Sequence, residues 1–512
     1  MYKTLKADKD TYITDRVIRK NRVTGSNVGA AATLDLFKLY GATVSGTAPN
    51  TEKNTELSRL LIHFDLQDLK DLVSQKKIDM TDPSFFCKLK LKDVYGGQPT
   101  PVDFTVSVFP LSASFTEGIG KDNSFYSDKD WCNWMSSSYT TRWALTGCAG
   151  ACFATGSGDY ITSSLSLAST EVTQSFATGE EDLEVDVTKI VSATIAGELP
   201  DRGFRISFVN SLEVDQQTYF VKRFGSRHIY DTSKQPKLVF GFDDSITDDS
   251  QNLTFDKSCR VTLYNFAGGE LDNIASGSSL TPVTGSNSLF LKLTTAISGG
   301  YYDLYFTGSQ FSPGAVGGKN FVTGTYVADV TLPSTDVEIK KLLLVSSSIQ
   351  FTPVWTSYDK SVAYVTGSNL TAYPASRVPN RRVKKYTVSA LGVKDEYLDN
   401  EEAIVRVHVF DQTAPFVKVT RIPVEMPGVV VKNVYYQVRD SVTNEIVVPY
   451  DDVKNSTKVS SDAEGMFFKL DMSSLGTGRT YVIDVMTTQE GVKTRYTNVS
   501  PVFRVNSSED QQ

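Results

Sequence analysis

Apolar and polar residues alternate one by one along most of this chain, and this period constrains its fold more than any other feature. Residues 182–187 alternate three carboxylates with three aliphatic side chains, and residues 466–472 place Met, Phe, Leu and Met at every second position. Such alternation is typical of strands with one buried and one solvated face. Helical spacing of apolar residues is confined to residues 66–77 and 187–195, so the chain is predicted to be all-β.

Two turn-rich stretches, residues 241–252 and 372–382, suggest where domains meet, because proline and like charge should discourage packing there. The length of 512 residues suits about three domains of ordinary size. The chain is therefore predicted to form three consecutive antiparallel β-sandwiches. They are called here the first module (residues 1–245), the second module (residues 246–378) and the third module (residues 379–512).

The charge balance argues against two classes of partner. The chain carries 52 Lys and Arg against 59 Asp and Glu, a formal net charge of −7. Nucleic acids and anionic membranes attract concentrated positive charge, so we expect neither as a partner. Five cysteines are too few for a disulfide-stapled scaffold, and we expect them to be reduced. No apolar run of signal-peptide length opens the sequence, so synthesis in a host cytoplasm is expected.

Signatures of catalysis are missing from the sequence. Histidine occurs only at His63, His228 and His408, which leaves no His-Glu-x-x-His zinc motif, and no Gly-x-Ser-x-Gly elbow is present. The carboxylates at 182, 184 and 186 could in principle form a glycosidase pair, but a solvated strand face produces the same spacing. We therefore assign no catalytic residue and expect the chain not to be an enzyme.

Aromatic side chains concentrate in the long loop of residues 121–160, at Trp131, Trp134, Tyr139 and Trp143. Aromatic faces stack on sugar rings, so this loop could recognise a glycan. A loop of this length also needs apolar anchors of its own, or a partner subunit that covers them. Glycan contact and anchoring or subunit contact are both open interpretations of these residues.

The order of motifs in residues 8–243 resembles a known family. A strand that reads R-x-L-x-x-F-D-L is followed by S-x-x-E-G, a Trp-x-Asn loop, an acidic Asp-Val strand and a closing Ser-Arg. This order resembles the carbohydrate-binding-module-like jelly rolls of the DNRLRE type, in the version found in virion proteins of tailed bacteriophages. The matching residues are Arg59, Leu61, Phe64, Asp65, Leu66, Ser114, Glu117, Gly118, Trp131, Asn133, Asp186, Val187, Ser226 and Arg227.

The stretch YFVKRFGSRHI, residues 219–229, places cationic side chains in an acidic chain. It is predicted to be a strand that ends at Gly225, with Arg227 in the turn before the last strand of the first module. An arginine there could fork onto a carboxylate, Asp65 or Asp243, and lock the closing strand. A phosphate or glycan contact is the alternative.

The resemblance to these jelly rolls also implies a structural calcium ion as the one cofactor to consider. Asp8, Asp10 and Asp15, near the first strand, offer the oxygen donors that Ca²⁺ prefers. Apart from this calcium, no metal or cofactor is expected.

The third module contains a second resemblance. Leu475, Thr477 and Tyr481 are spaced like the tyrosine corner of immunoglobulin-like sandwiches, in which the Tyr hydroxyl bonds back to the preceding turn. The segment resembles the immunoglobulin-like tail module of the same phage proteins. The second module resembles no family that we recognise, and a further antiparallel sandwich is expected there.

Together these features predict a non-enzymatic structural component of a tailed-phage virion, at the tail or neck. Its partners are expected to be other virion proteins of the tail, neck or fibre, with the chain itself a homo-oligomer in the particle. The main alternative is a receptor-binding protein that recognises host surface glycan through residues 121–160. A polysaccharide-degrading enzyme and a bacterial surface adhesin are further alternatives, opposed by the missing catalytic signatures and the missing export signal.

Overall fold

A computed structural model describes most of the chain. The side chains of Phe220 and Val221 are not part of this description. The described residues are 1–41, 55–94, 102–121, 131–250, 253–312, 321–374, 385–412, 429–462, 464–489 and 491–508.

Helices are short and few in the described residues, which confirms the all-β prediction. Two of them, α1 (Gln67–Ser74) and α2 (Thr188–Ile195), lie where helical spacing predicts them, whereas α3 (Asn210–Val214) and α4 (Val337–Val345) were not predicted. Asp336 caps α4 by accepting hydrogen bonds from two backbone N–H groups of its first turn, at 3.0 and 3.3 Å. None of the helices that the structure describes is long and apolar enough to cross a membrane.

The first module is a sandwich whose two sheets share one long strand. Residues 2–6 of that strand pair with β14, residues 7–14 pair with β5, and a bulge between Ala7 and Lys9 lets it pass from one sheet to the other. The sheet orders are β1-β14-β6-β11 and β1-β5-β12-β7-β10, with β4 attached to β5 and β13 attached to β4. The strands are β1 (Tyr2–Thr14), β2 (Val17–Ile18), β3 (Asn21–Arg22), β4 (Thr33–Tyr40), β5 (Thr55–Phe64), β6 (Phe86–Leu91), β7 (Phe104–Pro110), β8 (Ala151–Phe153), β9 (Tyr160–Ser163), β10 (Val172–Phe176), β11 (Leu183–Asp186), β12 (Phe204–Phe208), β13 (Tyr219–Gly225) and β14 (Lys237–Gly241).

The second module forms one large sheet around its own apolar cluster. The order is β15-β26-β24-β21-β22-β23-β16, with β25 also paired to β24. The short part of the sheet, β15 and β26, joins the long part through β24. Its strands are β15 (Leu253–Thr254), β16 (Ser258–Tyr264), β17 (Phe266–Ala267), β18 (Glu270–Leu271), β19 (Ala275–Ser276), β20 (Thr281–Pro282), β21 (Leu289–Ile297), β22 (Gly300–Gln310), β23 (Thr325–Thr331), β24 (Ile349–Ser357), β25 (Ala363–Thr366) and β26 (Leu370–Tyr373).

The third module is an immunoglobulin-like sandwich, as predicted. One sheet runs β27-β29-β33-β32 and the other runs β28-β36-β34-β30-β31, with β35 on β34. The first sheet corresponds to strands A, B, E and D of the immunoglobulin fold. In the second sheet β30, β34 and β36 correspond to strands C, F and G. The strands are β27 (Tyr386–Leu391), β28 (Glu396–Leu398), β29 (Glu402–Asp411), β30 (Val434–Asp440), β31 (Ile446–Val448), β32 (Ser460–Asp462), β33 (Gly465–Asp471), β34 (Arg479–Gln489), β35 (Val492–Tyr496) and β36 (Phe503–Asn506).

The tyrosine corner predicted in the third module is present. Tyr481 stands near the start of β34, is fully buried, and donates a hydrogen bond of 2.7 Å to the carbonyl of Gly476. Leu475 is buried beside this turn. Thr477, which replaces the usual proline of the motif, does not prevent the corner from forming.

The first and third modules pack against each other, although the second module separates them in sequence. Tyr2, Phe86 and Val239 of the first module belong to the apolar cluster of the third. Ion pairs border this contact, mostly from lysines of the first module to carboxylates of the third, with one reversed pair between Arg479 of the third module and Asp231 of the first at 2.8 Å. The lysine pairs are Lys3 with Asp471 at 2.8 Å, Lys6 with Asp399 at 3.2 Å and Lys92 with Glu445 at 2.7 Å. Consecutive modules are therefore not simply strung end to end.

The segment between the first and second modules, residues 243–250, packs against its surroundings, and the expectation that its like charges would prevent packing is wrong. This junction segment reaches the third module, where Ile246 and Asp248 donate backbone hydrogen bonds to Ser460 and Ser461. Its carboxylates are satisfied by nearby N–H and O–H donors, which removes the repulsion that the sequence suggested. Most of the other expected boundary, residues 375–384, lies outside the described residues.

Candidate functional site at the closing loop of the first module

Contacts of the small residues Gly225 and Ser226 fix the loop between β13 and β14 independently of its charged side chains. Gly225 ends β13, and a Cβ there would lie 2.3 Å from the carbonyl oxygen of Lys234, so this close approach requires glycine. Ser226 is buried, donates to the carbonyl of Ala31 at 2.5 Å, and accepts from the backbone of His228 at 3.0 Å. These contacts hold Arg227 and His228 beside Asp10 of β1.

Arg227 forks onto Glu117. Its Nε and Nη2 atoms donate to the two carboxylate oxygens of Glu117 at 2.6 and 3.0 Å. The expected partners have other roles, because Asp65 accepts from the backbone N–H of Gln67 at the start of α1 and Asp243 accepts from Asn455 of the third module. The predicted partner of Arg227, Asp65, was therefore wrong. The predicted type of contact, a bidentate arginine–carboxylate pair that fixes the closing loop, was correct.

Asp10 lies under this pair, inside β1, and is fully buried. Its Oδ2 atom accepts from the backbone N–H of Arg227 at 2.6 Å, and its own backbone N–H donates to Glu117 at 3.0 Å. Its Oδ1 atom is also buried and has no hydrogen-bond partner. Burial raises the pKa of Asp10 to about 7, and the nearby charge of Glu117 adds to this rise.

His228 completes the cluster. Its Nε2 atom lies 3.4 Å from Oε1 of Glu117, and its side chain is about one third exposed. Among the described residues, Asp10, Glu117 and His228 form a group of three ligating side chains with donor atoms all within 4.8 Å of one another. Sequence analysis missed this group because its members are more than 100 positions apart on different strands and loops.

The three expected calcium ligands do not form one site. Asp8 bonds to Nδ1 of His63 at 2.6 Å, and Asp15 bonds to Arg22 at 2.5 Å and to the backbone of Leu57 at 2.7 Å. Each of these two carboxylates is satisfied by its own partner, whereas Asp10 faces Glu117. The proposed oxygen set of Asp8, Asp10 and Asp15 was wrong, because the bulge of β1 and the turn after it direct the three side chains to different neighbours.

The aromatic loop is largely an internal structure. Trp134 and Trp143 are only 8 % and 5 % exposed and pack with Ile13 and Leu61 in an apolar cluster. The indole N–H of Trp143 donates to the carbonyl of Asn133 at 2.8 Å. This burial favours anchoring over glycan contact for both tryptophans.

The remaining aromatic residues of the loop are more accessible. Trp131 is half-buried, and Tyr139 is 70 % exposed. Residues 122–130, which include Tyr126, lie outside the described residues. The described aromatic surface of the loop is therefore provided mainly by Tyr139, with a smaller part from Phe153, which is 39 % exposed.

The cationic side chains of residues 219–229 form ion pairs with carboxylates of the first module. Lys222 is fully buried and pairs with Asp93 at 2.5 Å, while Arg223 pairs with Asp35 at 3.2 Å. With Arg227 held by Glu117, each of these cations has a carboxylate partner. The stretch acts as a structural element and not as an open patch for phosphate.

Two of the three alternating carboxylates of residues 182–186 form ion pairs, and the third, Asp186, accepts from the backbone N–H of Thr188 at 2.9 Å. Asp182 meets Lys92 at 2.9 Å, and Glu184 meets Lys88 and Lys90 at 2.8 and 3.1 Å. They form a ladder of surface ion pairs with β6, as expected for neighbouring strands.

Comparison with known proteins gives little further information. No family model and no curated protein matches the sequence. Among solved structures, the N-terminal four Ig domains of Dscam1 isoform 6.9 are 9% identical, with a TM-score of 0.13 and a match covering 60% of this chain and 58% of that one. The chicken CNTN1 FN1-FN3 domains are 12% identical, with a TM-score of 0.14 and coverage of 64% and 79%. The match spans less than two thirds of the Dscam1 chain, and neither TM-score supports an argument about shape or function.

Proposed function

We propose that this chain is a non-enzymatic structural component of a tailed-phage virion, at the tail or neck, where it holds neighbouring subunits in place. The observation that supports this role most is the packing of the first module on the third. Tyr2, Phe86 and Val239 enter the apolar cluster of the third module, so the two sandwiches share an apolar contact. Modules held together in this way suit a position in a symmetric particle.

The resemblance of the first and third modules to parts of phage virion proteins supports the same role. It rests on the order of motifs in residues 8–243 and on the tyrosine corner around Tyr481. The expected partners are other virion proteins and further copies of this chain, in a particle assembled in the host cytoplasm.

The second module offers surface for such contacts. Leu344 and Val345 at the end of α4 are 81 % and 90 % exposed, and Tyr301 on β22 is 78 % exposed. Contiguous exposed apolar side chains mark surfaces that an assembly covers, and the neighbours Leu344 and Val345 suit such a contact.

The glycan-binding alternative is less favoured. It depended on the tryptophans of residues 121–160, and the rings of Trp134 and Trp143 are engaged in the module's own packing. Tyr139 alone among the described aromatic residues of the loop is largely exposed.

Deletion of the gene in the phage that carries it tests the proposal. We expect particles that lack a tail or neck element in electron micrographs, and recovery when the intact chain is supplied from a plasmid. Mass spectrometry of purified wild-type particles should detect the chain at a fixed copy number. Normal infectious particles without the chain would contradict the proposal, and a glycan array that retained the purified chain through Tyr139 would favour the alternative.

A further inference from the structure

The cluster below the closing loop has an unbalanced charge. Arg227 neutralises Glu117 with two hydrogen bonds, but Asp10 receives only one hydrogen bond, from a backbone N–H. The second oxygen of Asp10 is buried without a partner. A buried carboxylate oxygen without a donor is costly, and a cation that met this atom would remove that cost.

We propose that Asp10, Glu117 and His228 bind a divalent transition-metal ion, with Zn²⁺ as the best match. The three side chains offer two carboxylate oxygens and one imidazole nitrogen, which is a donor set that Zn²⁺ accepts. The inference does not depend on the proposed role in a virion.

One donor pair already has the separation that such an ion requires. Nitrogen and oxygen donors lie about 2.0–2.1 Å from Zn²⁺, so two donors at a tetrahedral angle are roughly 3.4 Å apart. Nε2 of His228 and Oε1 of Glu117 are 3.4 Å apart, which is long for a hydrogen bond. All three donor atoms lie within 4.8 Å of one another.

The imidazole separates this site from the calcium site expected in the first module. Ca²⁺ takes six to eight oxygen ligands, roughly, and has little affinity for imidazole nitrogen. Here a histidine stands where a further oxygen would be needed, and Asp8 and Asp15 are engaged elsewhere. The geometry therefore points to a different ion bound by different residues.

Arg227 acts as a positioning residue in this site. Its guanidinium holds both oxygens of Glu117, and a metal ion would share that carboxylate with it. Such partners orient a ligand and tune its affinity. The guanidinium of Arg227 balances the charge of Glu117, so a divalent ion would compensate the charge of Asp10 when that carboxyl group is ionised.

Binding would join three separate parts of the module. Asp10 belongs to β1, Glu117 to the segment after β7, and His228 to the loop before β14. An ion bound only by the folded arrangement stabilises it by mass action. His228 is partly exposed, so the ion can enter from solvent.

Metal titration of the full chain tests this site. The chain is first treated with a chelator and dialysed, then titrated with Zn²⁺ by calorimetry and with Co²⁺ by visible absorption. We expect one ion per chain, a rise in the melting temperature, and a Co²⁺ spectrum with nitrogen and oxygen ligands. Asp10→Asn and His228→Gln should abolish binding, and Arg227→Lys should weaken it by about tenfold.

His63→Gln is the matched control, because His63 pairs with Asp8 outside the cluster. It should leave the Zn²⁺ titration unchanged. Absence of Zn²⁺ binding by the folded chain, or binding by His228→Gln equal to that of the original chain, would overturn the assignment. Ca²⁺ binding that survives His228→Gln would also overturn it. A melting temperature lowered by Asp10→Asn with an unchanged metal titration would assign Asp10 a purely structural role.

Discussion

The two attachments between modules differ in their chemistry. The first and third modules share an apolar cluster and are bordered by ion pairs. The apolar cluster of the second module contains only its own residues. Residues 246–250, where the junction segment enters this module, are held to its sheet by hydrogen bonds, such as those between Asp249 and Arg260 at 2.7 and 3.0 Å. Apolar burial gives the first attachment a larger free energy than hydrogen bonds give the second. We therefore expect the first and third modules to form a stiff pair and the second module to detach more easily.

The largest effect is expected from Phe86→Ala. Phe86 is nearly buried between the first and third modules, and its truncation should cost about 3 kcal/mol. Calorimetry should then resolve separate melting of the two modules in place of one shared transition. Leu344→Ala, on the exposed end of α4, is the control and should leave the transitions unchanged. A single unchanged transition in Phe86→Ala would contradict the stiff attachment.

A smaller effect is expected at the other attachment, from Asp248→Ala. Asp248 is buried and accepts from the backbone of Ser250 at 3.0 Å, so its loss should cost about 1–2 kcal/mol. Limited proteolysis should cut the junction segment faster and release the second module. The first and third modules should melt together as before; if they separated, the difference between the two attachments would be wrong.

Acid should weaken the stiff attachment through its carboxylates. Burial alone would raise the pKa of Asp399, but hydrogen bonds from Ser508 and the charge of Lys6 lower it below its ordinary value. A carboxyl group with a lowered pKa stabilises the folded state above its unfolded pKa, and this contribution disappears as the pH falls through the lowered value. Melting followed from pH 7 down to about pH 3 should show a loss below roughly pH 4. Asp399→Asn should reduce that loss.

The smallest effect is expected from Lys3→Met. Lys3 lies 2.8 Å from Asp471 across the attachment, and partly exposed ion pairs contribute about 1 kcal/mol or less. The variant should show a weaker dependence of the shared melting transition on salt. Lys341→Met, which removes an exposed pair with Glu338, should not change that dependence.

Sequence reasoning succeeded where neighbours in sequence determine the outcome. The alternation at 466–472 predicted β33, and the spacing of Leu475 and Tyr481 predicted a corner that forms within six residues. Local patterns of this kind specify strands and turns because the backbone and adjacent side chains decide them.

Sequence reasoning failed where partners are distant in the chain. Nothing near Arg227 identifies Glu117, 110 positions earlier, and Asp65 was an equally reasonable carboxylate. The packing of Phe86 on the third module has no local signal either, because the sequence around a buried side chain does not distinguish a domain core from an interface. The acidic junction segment was misread since its charges are satisfied by donors that only the fold supplies.

The strand β1 has a mechanical consequence for the first module. Because its two halves belong to different sheets, sliding one sheet over the other would require bending a single continuous piece of backbone at the bulge between Ala7 and Lys9. The sandwich should therefore resist shear along its faces more than one whose layers are joined only by loops. Pulling by optical tweezers across the two sheets would measure that resistance.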